Sequence, residues 1–312
     1  MKPSRSEYIP VRELKYHIRI WGDASHPKLF MVHGWMDVSA SFQFLVDSLK
    51  RDWCVIAPDW RGYGLTYKSH VDNYWFPDYL ADLDAVLRHY SPDAPVDLVG
   101  HSLGGNVACL YAGIRPERIR TLVNLEGFGM RATQAAEAPA RFRLFMDQIA
   151  NQPTLKPYKD FAALAERLQK TNPRLTPERA AFLARHWGHE VNGQVELLAD
   201  PAHKIVNATL YRVGEAHACW EAITAPVLCV SANQSEMLTK WITADEYRER
   251  LTHFKNVKEA SIDKAGHMLQ HDQPEQLAAL IEAFLASVPG ELQARQRSEG
   301  QQPASQLRVP SP

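Results

Sequence analysis

The chain has 312 residues, 45% of them hydrophobic and 23% charged, and its formal net charge is −1. This length fits one large α/β domain with an inserted subdomain, and the near-neutral charge gives no electrostatic basis for binding nucleic acid or an acidic membrane surface. The N-terminus lacks an apolar core and no later run approaches bilayer length, so we expect neither a signal peptide nor a membrane span. The four cysteines are scattered without a CxxC pair, which predicts no disulfide framework and favours a cytoplasmic location.

The first part of the chain alternates between predicted strands and helices. Apolar residues at every second position over 16–20 indicate a half-buried strand that pairs with the segment before it, while residues 1 to about 8 are expected to be loose. A continuous apolar run, typical of a strand buried in a parallel sheet, occurs at 28–32, and further largely apolar strands are predicted at 54–58, 96–99 and 121–125. Helices are predicted between them at 40–49 and 77–90.

The character of the sequence changes over residues 127–222. Segments rich in Ala, Arg and Gln are interrupted there by six prolines, and no run typical of a buried strand is found. We therefore predict a helical cap at 127–222, inserted into an α/β core that comprises 9–126 and 223–288. Strands and helices resume at 226–230, 245–251, 257–262 and 274–285.

Repeated strand–helix units predict the α/β class, with a mostly parallel central sheet and helices on both faces. An active centre in such a fold lies at the carboxyl ends of the strands. Residues 289–312 are rich in Gln, Ser and Pro with almost no apolar content, and we expect them to be disordered.

A nucleophile is indicated by the turn Gly100-His101-Ser102-Leu103-Gly104, which joins a predicted strand to a helical run. Glycines at Gly100 and Gly104 allow the strand and the helix to approach closely, and a serine on so tight a turn lies exposed on strained backbone. The amide of Leu103, at the helix start, points toward any negative oxygen formed beside it. The pattern predicts Ser102 as the nucleophile, and a glycine-rich turn with an incidental serine is the alternative.

A base and a second oxyanion donor are predicted from position. A serine hydroxyl needs a base, and of the 13 histidines only His267 combines a place after the last strand with the chain order Ser then His. An oxyanion needs two backbone donors. Leu103 supplies one, and the amide of Trp35, which follows His33-Gly34 after the first buried strand, is predicted as the other. Asp59 and Arg61 are predicted to form a charged pair that fixes a turn.

Four motifs, HGW, DWRGYG, GHSLGG and AGHMLQHDQPE, resemble those of the α/β-hydrolase superfamily in order and spacing over about residues 10–287. The resemblance implies the α/β-hydrolase fold, a cap at the place of the insertion and a serine nucleophile. It does not specify the substrate. The cap sequence is similar to that of the serine hydrolase-like branch of the superfamily.

The sequence departs from the superfamily pattern at the acid of the triad. Most members carry an acid soon after the strand that follows the cap, in a pattern resembling Gly-x-x-Asp. Here serine stands at that position and Glu236 comes one residue later. Glu126 lies at the tip of the strand after the nucleophile's own, where the resemblance to haloalkane dehalogenases implies an acid, although their nucleophile is Asp. We favour Glu126 and keep Glu236 as the alternative acid, with a chain lacking any functional acid as a third possibility.

Together these residues predict a cofactor-free serine hydrolase acting on a small-molecule ester of a fairly apolar acid. Thioester, amide and carbon–carbon bonds stay open as substrates, as does a hydrolase fold kept only for ligand binding. Trp35 and Phe128 are predicted from their positions to line the acyl pocket. His186, His189 and Glu190 have ligand-like spacing but lack a third ligand nearby, so no metal site is predicted. The oligomeric state is not readable from the sequence.

Overall fold

A computed structural model describes residues 1–67 and 71–288, and its centre is an eight-stranded sheet. The strands of the chain are β1 (Ser4–Val11), β2 (Leu14–Trp21), β3 (Lys28–Val32), β4 (Cys54–Pro58), β5 (Val96–His101), β6 (Ile119–Leu125), β7 (Gly188–Val191), β8 (Gln194–Leu197), β9 (Val227–Ala232) and β10 (Val257–Ile262). In space the main sheet follows the order β1-β2-β4-β3-β5-β6-β9-β10. β1 and β2 are antiparallel to their neighbours, and all other pairs are parallel. The predicted fold class is confirmed.

Helices cover both faces of this sheet. The helices of the described chain are α1 (Gln43–Ser48), α2 (Phe76–Tyr90), α3 (Leu103–Ile114), α4 (Ala138–Ala150), α5 (Phe161–Thr171), α6 (Pro177–Trp187), α7 (Val213–Ala222), α8 (Glu236–Trp241), α9 (Ala244–Leu251), α10 (Leu269–Asp272) and α11 (Pro274–Ser287). The continuous apolar run of β3 explains the two layers, because its alternate residues enter different cores. Phe30 packs in the core that includes α2, α3 and α7, whereas Leu29 packs in the core that includes α1 and α11.

The N-terminal strand corrects one sequence expectation. Residues 1 to about 8 were expected to be loose, but β1 begins at Ser4 and pairs with β2 in the register Ser4↔Trp21 to Val11↔Leu14. Backbone hydrogen bonding to β2 holds this polar edge strand, and only Ile9 and Val11 are buried. Because most of its side chains face solvent, the strand has little of the apolar pattern that a sequence reading depends on.

The segment 127–222 was expected to be helical, but it also contains two strands. β7 and β8 form an antiparallel hairpin closed by Asn192 and Gly193, both with positive φ. Asn-Gly between alternating apolar and polar residues is the strongest short hairpin signal. In this segment the surrounding helical stretches and their prolines favour a wholly helical interpretation instead. The last helix of the segment, α7, packs against α3 of the core.

Asp59 and Arg61 do not pair with each other, which corrects another expectation. The Asp59 carboxylate contacts Nδ1 of His17 at 2.7 Å and accepts from the amide of Ser39 at 2.7 Å. The Arg61 guanidinium makes two hydrogen bonds to the fully buried Asp82, at 2.5 and 2.6 Å. Two buried networks thus brace the turn after β4. The expected disordered tail, 289–312, lies outside the described residues. Among the residues that are described, no helix is both long and apolar enough to cross a membrane.

Candidate active site

The turn between β5 and α3 presents Ser102 on strained backbone. Its φ of 52° and ψ of −115° lie outside the regions that a non-glycine residue ordinarily adopts. Glycine is required on both sides of this turn because backbone atoms of neighbouring residues lie very close to these two positions. A Cβ added at Gly100 would lie 2.5 Å from the carbonyl oxygen of Gly104, and one added at Gly104 would lie 2.2 Å from that of Val32. Strand and helix therefore meet as closely as the sequence pattern predicts.

His267 reaches the serine from the loop after β10. Its Nε2 lies 2.9 Å from Oγ of Ser102, a normal hydrogen-bond distance. The backbone of this loop is fixed by His101, which contacts the carbonyl oxygen of His267 through Nε2 at 2.8 Å. Burial lowers the pKa of His101 well below its usual value, so its ring is neutral and Nε2–H is the donor. Gln270 donates to the other ring nitrogen at 3.3 Å. His101 therefore orients the His267 loop and leaves the serine hydroxyl free for the His267 ring.

The structure brings Glu126, and not Glu236, to His267. Oε2 of Glu126 lies 3.0 Å from Nδ1 of His267, and the Glu126 side chain is fully buried. The residue has a positive φ of 56°, and Asn124 braces its turn by accepting from the amide of Gly127 and donating to the Gly127 carbonyl. The Glu236 side chain is 79% exposed and pairs with Lys240 at 2.7 Å.

A serine occupies the position where the superfamily pattern has its acid, and it contacts Glu126. The hydroxyl of Ser235 donates to Oε2 at 2.5 Å, and the amide of Ala232 donates to Oε1 at 2.7 Å. Both donors belong to the end of β9 and the loop after it, next to β6 in the sheet. The loop that would carry the acid in the superfamily pattern thus supplies hydrogen bonds to Glu126 in this chain. The sequence marks this serine as a departure from the superfamily pattern but does not indicate its contact with Glu126.

The residues of both predicted oxyanion donors belong to segments that adjoin Ser102. Leu103 is the first residue of α3. A Cβ added at Gly34 would lie 3.1 Å from Cβ of Ser102, so the loop that leads to Trp35 lies directly against the Ser102 turn. His33 fixes this loop, because its Nε2 accepts from the amide of Trp60 and its Nδ1–H donates to the Gly34 carbonyl. Burial lowers the pKa of His33 to about 4, which keeps the ring neutral for both bonds.

A cavity of about 400 Å³ adjoins this turn, with Trp35 and Leu103 among the residues that line it. The Trp35 side chain is 53% exposed, and its Nε1–H donates to the carbonyl of His203 at 3.3 Å. Phe128 is predicted to line the same pocket, but it is not among the residues that line this cavity. Arg250 holds the Phe128 carbonyl at 2.6 Å, and the ring packs edge-on against Tyr247 at 5.0 Å. The prediction for Phe128 is therefore corrected.

The histidines with ligand-like spacing make other contacts. The ring of His186 packs against that of Phe182 at 4.4 Å, and His189 faces Glu196 across the hairpin. Among the described residues, His217, Glu249 and His253 do bring three ligand atoms within 4.8 Å of one another.

Both ring nitrogens of His253 contact carboxylates, of Glu249 at 2.8 Å and Glu221 at 2.7 Å. Burial favours the neutral ring, but these hydrogen bonds outweigh it and raise the pKa of His253. The contacts are those of a protonated histidine between two carboxylates.

Comparison with known proteins agrees with this architecture. The family model for the alpha/beta hydrolase fold matches residues 27–274, a range that includes Ser102, Glu126 and His267. A serine hydrolase-like protein from Danio rerio is 27% identical over 297 residues, which cover 91% of this chain and 90% of that protein. A pimeloyl-acyl-carrier-protein methyl ester esterase from Vibrio parahaemolyticus is 32% identical over 141 residues, covering 45% of this chain and 51% of that protein. The solved thioesterase domain from the curacin biosynthetic pathway has a TM-score of 0.80 at 22% identity, covering 89% of this chain and 99% of that domain.

Proposed function

Because the chain belongs to the α/β-hydrolase family, we propose that it is a serine hydrolase that cleaves a carboxylic ester through an acyl-enzyme on Ser102. The observation that carries the proposal is the continuous hydrogen-bonded path from Ser102 through His267 to the buried Glu126, at 2.9 and 3.0 Å. The ester activity stated in the name of the Vibrio parahaemolyticus relative supports the choice of bond.

Acylation begins at the serine hydroxyl. Nε2 of His267 accepts the hydroxyl proton as Oγ of Ser102 attacks the carbonyl carbon, and the C–O π electrons move onto the carbonyl oxygen. The imidazolium that forms is stabilised by the Glu126 carboxylate, which also holds Nδ1–H and thereby keeps Nε2 free to accept. Since Glu126 is buried and has fixed donors around it, its charge is positioned before the reaction begins.

The oxyanion is proposed to bind the amides of Trp35 and Leu103. The tetrahedral intermediate collapses when the C–O bond to the alcohol breaks, and His267 returns the proton to the departing alkoxide. Water then attacks the acyl-enzyme carbonyl while His267 takes its proton, and the second collapse releases the acid and restores the Ser102 hydroxyl. Every step uses groups of this chain and one water.

Two further proposals concern context. We propose that residues 127–222 act as a cap over the site, which is supported by Met130 and Ile205 of that segment, because they line the cavity beside Trp35.

We also propose a cytoplasmic location, which is supported by the absence of disulfides among Cys54, Cys109, Cys219 and Cys229.

A fluorophosphonate probe tests the proposed nucleophile directly, because it reacts with activated serines and needs no knowledge of the substrate. We expect the wild-type protein to be labelled and the Ser102→Ala variant to remain unlabelled. Ser25→Ala, a change at an exposed serine, is the matched control and is expected to label like wild type. Absence of labelling in folded wild-type protein would favour a hydrolase fold kept for ligand binding.

A substrate panel tests the proposed bond. We expect p-nitrophenyl esters of graded acyl length to be cleaved faster than the matching thioester and anilide. A protein that labels with the probe but cleaves only the thioester would keep the serine mechanism and contradict the ester assignment.

A further inference from the structure

All the charged side chains that line the cavity beside the candidate active site are positive. The charged side chains that line it are Arg131, Arg141 and Lys204, and no carboxylate from residues 1–67 or 71–288 lines it. His203 also lines the cavity, but burial lowers its pKa to about 3, so its ring is neutral. The lining therefore presents three cationic side chains and no acidic one.

Only one of the three cations forms an ion pair with the described part of the chain. Arg131 pairs with Glu137 at 2.6 Å. Lys204 donates through Nζ to the carbonyl oxygen of Thr154 at 3.3 Å, a contact with a group of no net charge. The guanidinium of Arg141, which lines the cavity wall, forms no hydrogen bond or ion pair with the described part of the chain, although its positive charge interacts with the Glu137 carboxylate. Arg141 and Lys204 thus leave excess positive charge at this site.

The rest of the wall is largely apolar. Its aromatic and aliphatic members include Trp75, Phe76, Tyr79, Met130, Ile205 and Tyr211. Such a wall lowers the local dielectric constant, which strengthens the attraction between a cation and an anionic ligand group. Because Trp35 and Leu103 line the same cavity, its occupant lies next to the nucleophile turn.

Building on the proposed ester hydrolysis, we propose that the acyl group of the substrate has an apolar body and a distal anionic group, a carboxylate or a phosphate, that binds Arg141 and Lys204. The guanidinium of Arg141 presents paired donors that match either oxyacid. The apolar residues hold the hydrocarbon part, and the cations select against an uncharged acyl chain of the same length.

Three p-nitrophenyl esters with the same leaving group test this inference. The neutral ester is p-nitrophenyl hexanoate, and the anionic esters are mono-p-nitrophenyl adipate and the p-nitrophenyl ester of 5-phosphonooxypentanoic acid. We expect kcat/KM for the better anionic ester to exceed that for the hexanoate by about tenfold, the effect of one hydrogen bond to a charged group. The two anionic arms distinguish a carboxylate from a phosphate, and the preference should fall in about 0.5 M salt.

Variants assign the preference to the two cations. Arg141→Gln and Lys204→Gln are each expected to lower the anionic-to-neutral ratio of kcat/KM by about fivefold. The matched control is Arg143→Gln on the same helix, since Arg143 is exposed and is not part of the cavity wall, and it should leave the ratio unchanged.

Two results would overturn the inference while leaving ester hydrolysis in place. One is cleavage of the hexanoate with no preference for either anionic ester, and the other is an equal loss of preference in Arg143→Gln. Failure to cleave any of the three esters contradicts the ester assignment itself.

Discussion

Replacement of Glu126 by glutamine is the perturbation that best separates the two candidate acids. Oε2 of Glu126 accepts from His267 and Ser235, and Oε1 accepts from the amide of Ala232. A glutamine side chain has the same shape but carries one NH₂ group, so at least one of these donors must face another donor. It also lacks the negative charge that stabilises the imidazolium.

The size of the effect follows from where the NH₂ group lies. If it faces His267, the ring must adopt the tautomer with a proton on Nε2, and Nε2 can no longer accept from Ser102. An amide in place of the triad carboxylate lowers kcat by about 10⁴ in triads where the geometry survives, or ~5.5 kcal/mol. If the NH₂ group faces Ala232 instead, the amide oxygen still accepts from His267, but the negative charge of the carboxylate is gone. We therefore expect kcat to fall by about 10³–10⁴.

The assay is kcat for a p-nitrophenyl ester at saturating substrate, with thermal unfolding to check that each variant is folded. Glu236→Gln is the matched control, because this carboxylate is 79% exposed and forms a surface ion pair with Lys240, and it should change kcat by less than about twofold. The assignment of Glu126 is refuted if Glu126→Gln keeps more than about a tenth of wild-type kcat. It is also refuted if Glu236→Gln lowers kcat more than Glu126→Gln does.

Three further predictions concern the surroundings of the site and the stability of the fold. Ser235→Ala removes one of the donors to Glu126 and should lower kcat by about threefold to tenfold in steady-state kinetics, the effect of one hydrogen bond; an unchanged kcat would show that the contact does not position the acid. Gly100→Ala places a Cβ 2.5 Å from a backbone oxygen and should lower the free energy of unfolding in urea by about 1–3 kcal/mol or more, whereas Gly214→Ala meets nothing within 4 Å and should raise it by about 0.5 kcal/mol; equal effects would contradict the close approach. Because hydrogen bonds raise the pKa of His253 in the folded state, its contribution is complete below about pH 6.5, its unfolded value, and is lost as pH rises through the folded pKa. His253→Gln should therefore cost up to about 1 kcal/mol more at pH 6 than at pH 9 in urea unfolding, and a larger cost at pH 9 would reverse the assignment.

The parallel core was readable from the sequence because its signals are local. Buried strands such as β3 are short continuous apolar runs, and the glycines around Ser102 mark a close approach that few other residues permit. Once the strands are taken as parallel, their carboxyl ends lie at one edge of the sheet, and this places Ser102 near His267 although 165 residues separate them.

The sequence favours Glu126 over Glu236 as the acid but does not exclude Glu236. Both follow neighbouring strands, and the difference between them is the path of the loop from Ala232 to Glu236. In the structure that loop directs an amide and the Ser235 hydroxyl toward Glu126 and leaves Glu236 facing solvent. Such a path depends on contacts between segments more than 100 residues apart, which no local pattern records.

The cationic cavity was missed for a different reason. Apart from Trp35 and Leu103, its residues come from 74–79, 130–141 and 203–211, and none of these segments carries a recognised motif. Arg141 is indistinguishable in the sequence from the exposed Arg143 two positions later, since only the packing of α4 decides which of them faces the cavity. Phe128 shows the converse error, because its position next to Glu126 suggested a pocket role that its contacts with Arg250 and Tyr247 do not support.

The most direct test of the mechanism is to trap the acyl-enzyme during turnover. The protein is mixed with a p-nitrophenyl ester, quenched in acid while p-nitrophenol is being released, digested and measured by mass spectrometry. We predict a mass increase equal to the acyl group on the peptide that contains Ser102, and its absence in Ser102→Ala. Release of p-nitrophenol with no acyl adduct, or with the adduct on another residue, would contradict the assignment of Ser102 as the nucleophile.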